Sequence, residues 1–178
     1  LAPSCLAIIE LIIFVSSCEF GNIDTEEKIV PPKNNLSPIY GQWRIEKFKS
    51  GSVSAMNEDD ARKYLNKTAI FNDRIAAIED DFCLEPSYKI KNVNAADYLW
   101  YQYKISPDYL GIRDKNIQVM TITSEDQFFY EFIMLSDKEI LTDINGMFFY
   151  LKKESDVVED EKINEYITKE DRLIGESD

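Results

Sequence analysis

Carboxylates, phenols and the isolated thiol of Cys83 are the side chains here that could move protons or attack carbon, because histidine is absent from all 178 residues. Without imidazole, a Ser-His-Asp triad, a Cys-His pair and a His-ligated zinc site cannot be assembled. Cys83, in "DDFCLEP", has no basic neighbour in sequence to draw off its proton, so it reads as a packed or free cysteine rather than a nucleophile. The acidic triplets "EDD" at 58–60 and 79–81 have the makings of paired carboxylates or cation ligands, and read more simply as solvated faces. "TDING" at 142–146 has Asp, Asn and Gly at calcium-loop spacing but lacks the first acid and the closing Glu of an EF-hand, which leaves a turn. No catalytic residue, metal ligand or cofactor is expected. Acid-base chemistry by carboxylates and tyrosines is the opening left to an enzyme.

Rings are the other resource. "YLWYQY" at 98–103 and "QFFYEF" at 127–132 carry aromatics at both odd and even positions. Read as strands, they do not say which face points inward. Core packing under a helix or tail accounts for most of them; the alternative is a ring-lined ligand cavity. Such a cavity would draw on Trp100, Tyr101, Tyr103, Phe128 and Phe132, with Gln102 and the tyrosines as polar contacts. Strand alternation then assigns one set to the ligand and the other to stability: Trp100 with Tyr98, or Tyr101 with Tyr103 and Leu99.

The elements that must position these rings are strands. From Tyr40 the chain runs in short aromatic and β-branched segments bounded by Asn, Asp, Gly, Ser or Pro, which predicts strands near 41–49, 68–73, 75–79, 88–93, 98–105, 117–123, 127–135, 138–144 and 147–152. Asn145-Gly146, between "EILTDI" and "MFFYLKK", is a strong hairpin signal because both residues take positive φ cheaply. One helix is expected at 57–65, with Asn57 as its N-cap and acids in its first turn. A second is expected at about 157–173, where Ile163, Tyr166, Ile167 and Ile174 form a stripe. Eight or nine locally connected strands need their edges managed, and closure into an antiparallel up-and-down β-barrel does so. A barrel of about eight strands can be filled by side chains or hold one small ligand.

Composition bounds the partners. There are 33 acids against 20 bases, a formal charge of -13, and no cluster of Lys and Arg to displace counterions from a phosphate backbone, so nucleic acid is excluded. Residues 154–178 hold ten of those acids and three of the bases, reading as a solvated, partly helical acidic tail or a protein-binding one. The length suits one ordinary domain with flanking segments, and a monomer is expected.

The amino-terminal stretch is apolar from Leu6 to Val15 apart from Glu10, then turns small at Ser16 and Ser17 before Cys18. It resembles a bacterial lipoprotein signal, whose lipobox has an aliphatic residue, two small ones and a cysteine, here Val15, Ser16, Ser17 and Cys18. The resemblance implies that residues 1–17 are removed and that Cys18 carries a diacylglycerol, anchoring an extracytoplasmic protein to the bacterial cell membrane. Residues 18–39, with Pro31, Pro32 and Pro38 among polar filler, then make a flexible tether. The alternative, a first strand or short helix of the core at 6–15, stays open. A spanning helix does not, since about 20 apolar residues are needed.

"YGQWRIEKF" at 40–48 resembles the first strand of the lipocalin-like (calycin) barrels, which opens on Gly-x-Trp, here Gly41 and Trp43. The resemblance implies a barrel over 40–153. In that family the Trp packs across the closed end beneath a cation of the last strand, supplied here by Lys152 or Lys153, with Lys152 preferred. The expected function is binding of a small apolar or aromatic ligand without chemical conversion. The alternative is a protein-interaction or inhibitor module of the cell envelope using the barrel surface or the acidic tail.

Overall fold

Nine antiparallel strands curl into a barrel-like sheet in the computed structural model, which describes residues 37–175. The elements are β1 (Gly41–Ser50), α1 (Glu58–Lys63), β2 (Thr68–Phe71), β3 (Ile75–Ile78), β4 (Asp81–Leu84), β5 (Ser87–Asn94), α2 (Ala95–Tyr103), α3 (Pro107–Leu110), β6 (Asn116–Ser124), β7 (Gln127–Ser136), β8 (Glu139–Ile144), β9 (Met147–Ser155) and α4 (Asp160–Gly175). The strand order is β4-β3-β2-β1-β9-β8-β7-β6-β5. This is an up-and-down meander whose first and last strands are paired. The expected signal segment, Cys18 and most of the tether lie outside the described residues.

The ladder between β1 and β9 runs from Gln42↔Ser155 to Ser50↔Met147, with register shifts at Gln42/Trp43 and Ile45/Lys47. No ladder joins β4 to β5. Side chains span that gap instead: Tyr88 OH of β5 donates to the Asn72 carbonyl at 2.7 Å, and from beyond β5 Ser124 Oγ donates to the Leu84 carbonyl at 2.7 Å and Tyr130 OH to Asp81 at 3.1 Å. The β8–β9 turn is the expected hairpin, with φ of 54° at Asn145 and 82° at Gly146.

The inner face is solid. Trp43, Ile45, Phe71, Met120, Ile122, Phe132, Ile140, Phe149 and Leu151 form one buried cluster, and Phe71 and Phe132 meet edge-on at 5.1 Å. Helix α1 adds Ala61 to this cluster, with Tyr64 just beyond its end stacked on Phe149 at 5.0 Å. Its N-cap is the expected Asn57, whose Oδ1 accepts the Asp60 N–H at 2.9 Å. The acids of the first "EDD" serve the helix: Glu58 pairs with Arg62, and Asp60 with Lys63.

The outer face is covered twice. Helices α2 and α3 bury Leu99, Ile105 and Leu110 against Val119, Ile133, Leu141 and Phe148. Helix α4 places Ile163, Tyr166 and Ile167 over Ile70, Ile75 and Ala77, and Tyr166 OH donates to the Glu79 carbonyl at 2.8 Å. The packed body therefore runs past residue 153 and takes up part of the acidic segment as α4.

The strand expected at 98–105 is a correction, because this stretch lies in helix α2 and the turn that ends it. Asn94 Oδ1 accepts the Asp97 N–H at 3.1 Å, and Lys104 ends the helix in the left-handed conformation at φ 57°. Between those caps a helical face of Ala95, Tyr98 and Leu99 is buried, while Trp100 and Tyr101 point to solvent. Tertiary burial of a capped face outweighs the strand preference of aromatic residues. Short strand β4 and single-turn helix α3 are additions to the expected set.

Trp43 is fully buried, its Nε1 donates to the Ile39 carbonyl at 2.7 Å, and Lys153 Nζ stands 5.1 Å from its ring centre. The expected cation, Lys152, is corrected by one residue. Lys152 pairs across the ladder with Arg44, extends outward and meets Glu46 at 3.6 Å, whereas Lys153 is opposite Trp43 on the inner face. Neighbouring strand residues face opposite sides, so the cation must share the parity of Phe149 and Leu151. Gly41, at φ +125°, is required by contact: a Cβ there would run into the Ser155 carbonyl oxygen.

Trp43→Ala is expected to cost about 3–5 kcal/mol in denaturant titration, as truncations of buried aromatics do. A loss below about 1 kcal/mol would place the indole outside the packed interior.

Candidate functional site

Strands β4, β7 and β8 and the last turn of α2 converge on the rim of the barrel, where an open cleft of about 580 Å³ lies. Its walls are Tyr64, Gln102, Tyr103, Phe128, Phe129, Tyr130, Ile144 and Asn145, with carboxylates from Asp81, Glu131 and Asp143. The volume falls within the usual range for small-molecule sites. Each wall has a local cause. The left-handed turn at Glu125 and Asp126 starts β7 so that Phe128, Phe129 and Tyr130 stand at the rim. The cap at Lys104 stops α2 where Gln102 and Tyr103 face the cleft. The Asn145–Gly146 turn ends β8 just past Asp143.

The electrostatics are one-sided. Glu131 collects donors: Thr121 Oγ1 at 2.9 Å, the Tyr98 hydroxyl, and Lys91 Nζ at 3.6 Å. The same lysine lies 5.3 Å from the Tyr98 ring centre. Asp143 differs, because its Oδ2 is buried with no hydrogen-bond partner, and burial raises its carboxyl above the usual range against a backbone hydrogen bond from Gly146. Burial also raises the phenols. Tyr103 reaches about 12, with Glu131 and Asp143 adding to the effect of burial. Tyr98 and Tyr130 are raised further, first by burial, then by Tyr103 and Glu131 for the one and by Asp81 for the other. Stacking fixes the rings: Phe129 meets Tyr130 edge-on at 4.7 Å, and Tyr103 meets Phe148 at 5.0 Å.

The five rings expected to line one cavity are distributed over three places. Tyr103 and Phe128 line the cleft, with Phe128 66% exposed. Phe132 is inside the filled barrel at 0% exposure. Trp100 and Tyr101 stand on the solvent face of α2, 59% and 75% exposed, with Lys104 5.9 Å from each ring centre. The sequence expectation omitted Asp81, Glu131, Asp143, Tyr64 and Tyr130. One signal for Asp143 was present: an acid next to the apolar Ile144 in a strand whose middle, Ile140 and Leu141, is apolar.

The other polar features resolve individually. Cys83 is half-buried and its thiol is pushed up to about 11 by burial, which suits packing and not attack. The second "EDD" is dispersed, Glu79 to Lys67 at 2.8 Å, Asp80 to Lys169 at 2.7 Å and Asp81 to Tyr130. Among the described residues there is no cluster of three or more His, Cys, Asp or Glu able to hold a metal. None of the described helices is long and apolar enough to cross a membrane.

Fold and site together define an antiparallel, barrel-like β protein with a filled interior and a ring-walled, acidic cleft at its rim. Compared with known proteins, the chain matches no protein-family profile, no curated protein and no solved structure.

The raised phenols set an alkaline limit. An unfolded tyrosine ionises near 10 while Tyr103 and Tyr150 hold their protons to about 12, so the folded state binds more protons in that window. Stability is therefore complete below pH 10 and is lost as pH rises towards 12. Tyrosinate absorbance at 295 nm and circular dichroism are expected to change together there. Full tyrosine ionisation near pH 10 with the dichroism intact would contradict the burial.

Proposed function

We propose that this chain is an exported, lipid-anchored, lipocalin-like barrel of the bacterial cell envelope that binds a small molecule without converting it, in the rim cleft rather than the barrel interior. The observation that carries the reading is the cleft of about 580 Å³ with five rings in its wall, Tyr64, Tyr103, Phe128, Phe129 and Tyr130. The interior offers no comparable room, since Trp43, Phe71, Phe132 and Phe149 fill it. Binding without conversion fits the chemistry at hand: the phenols are held protonated and the one described thiol is desolvated. Trp43 beneath Lys153, with a helix after the last strand, supports the lipocalin-like part. Val15-Ser16-Ser17-Cys18 and the proline-bearing segment after it support the anchor.

A second reading has its own observation. Trp100 and Tyr101 project from α2 beside Lys104, and exposed aromatic side chains are the type that protein interfaces favour. It makes the chain a protein-interaction module whose contact surface is α2.

Titration of the purified chain with an apolar fluorescent probe separates the two. Saturable one-site binding is expected, weakened about tenfold by Tyr103→Ala or Phe128→Ala and unchanged by Trp100→Ala or Tyr101→Ala. Absence of saturable binding would remove the ligand reading and favour the α2 surface. For the anchor, expression with the native upstream region is expected to yield a fatty-acylated protein in the membrane fraction, and Cys18→Ala to release it. A Cys18→Ala protein that keeps its acyl chains would overturn the assignment.

A further inference from the structure

The charge balance of the cleft narrows what can occupy it. Three carboxylates line it, from Asp81, Glu131 and Asp143, and no Lys or Arg does. An anion entering would meet like charge, and a purely apolar ligand would bind less tightly than a cation of the same shape, because it desolvates acids without compensation. Two of the acids are engaged, Asp81 by the Tyr130 hydroxyl and Glu131 by Thr121, Tyr98 and Lys91. Asp143 is engaged on one side only, by the Gly146 N–H, and its buried Oδ2 lacks a hydrogen-bond partner. Burial disfavours the charge on this carboxylate, a cost that an arriving cation relieves. Tyr103, Phe128 and Tyr130 line the same cleft, and ring faces attract a cation placed within about 6 Å of their centres.

We propose that the rim cleft takes a small organic cation, an amine or quaternary ammonium compound, with Asp143 as its counter-charge and the rings of Tyr103, Phe128 and Tyr130 as its cage. This rests on the cleft being the ligand site and adds the chemical class of the ligand. The chain already sets amines beside rings elsewhere: Lys153 over Trp43 at 5.1 Å and Lys91 over Tyr98 at 5.3 Å. In the cleft the rings and the acid are in place, and no lysine or arginine is among the residues that line it.

The test compares benzyltrimethylammonium with neopentylbenzene, its uncharged carbon isostere, by calorimetry and by amide chemical shifts on the purified chain. The ammonium compound is expected to bind at least about tenfold tighter, shifting the amides of Phe128, Asp143 and Gly146. Asp143→Asn is expected to lower that affinity about tenfold and to leave the isostere unchanged. Equal affinities at the same amides would overturn the cation assignment while leaving the cleft as a small-molecule site. Shifts from neither compound would overturn both. Should Asp143→Asn fail to fold, exposed Phe128→Ala serves in its place: it must weaken the ammonium compound, and an unchanged affinity would overturn the cage.

Discussion

The pairing of β1 with β9 is the constraint on which the rest depends. Every other ladder joins strands that follow one another along the chain, whereas this one joins the two ends of the meander. Closing so long a loop costs chain entropy before any contact compensates for it, so the ladder must be long and well packed. It is: the pairing extends over β1 from Gln42 to Ser50, flanked inside by Trp43, Ile45, Phe149 and Leu151. Gly41 lets the chain approach Ser155 closely enough to begin it, and Lys153 over Trp43 ties the last strand to the first.

With the ends joined, the sheet has a concave face that fills with side chains and a convex face that helices must cover. α2 and α3 cover the convex side of β6 to β9, and α4 covers that of β2 and β3. The cleft opens at the rim, between Tyr64 and Ile144 of the inner cluster and Tyr103 of the outer one. A polar group at such a junction is partly dried by both clusters and satisfied by neither, which accounts for the position of Asp143.

How much of this was legible in the sequence follows from the range of each signal. The Asn145–Gly146 hairpin and the Asn57 cap are written in adjacent residues, and both are found as read. Trp43 carried its burial in a short motif. Helix α2 was misread because its rings favour strands, while the decisive features, the Asn94 cap and the left-handed Lys104, are single residues at its ends. Lys152 was preferred over Lys153 because parity along β9 is fixed by its ladder with β1 and by the register shifts there. The cleft was legible only at Gln102, Tyr103 and Phe128. Its acids come from β4, β7 and β8, which nothing short of the folded topology brings together.

The gap between β4 and β5 gives the barrel the mechanics of a slit tube. A closed tube resists twisting because shear flows around its whole circumference. A slit one loses most of that stiffness, since its lips can slide past each other. Here the β4 lip is held by hydroxyl clasps from the strands beyond β5, Ser124 of β6 to Leu84 and Tyr130 of β7 to Asp81, in place of a ladder. Torsion of the barrel is thereby concentrated along β4, whose Asp81 is one wall of the cleft and is clasped by Tyr130, another. The binding rim and the most compliant line of the shell meet at Asp81, so a ligand seated there acts as a wedge or a rivet on the whole tube.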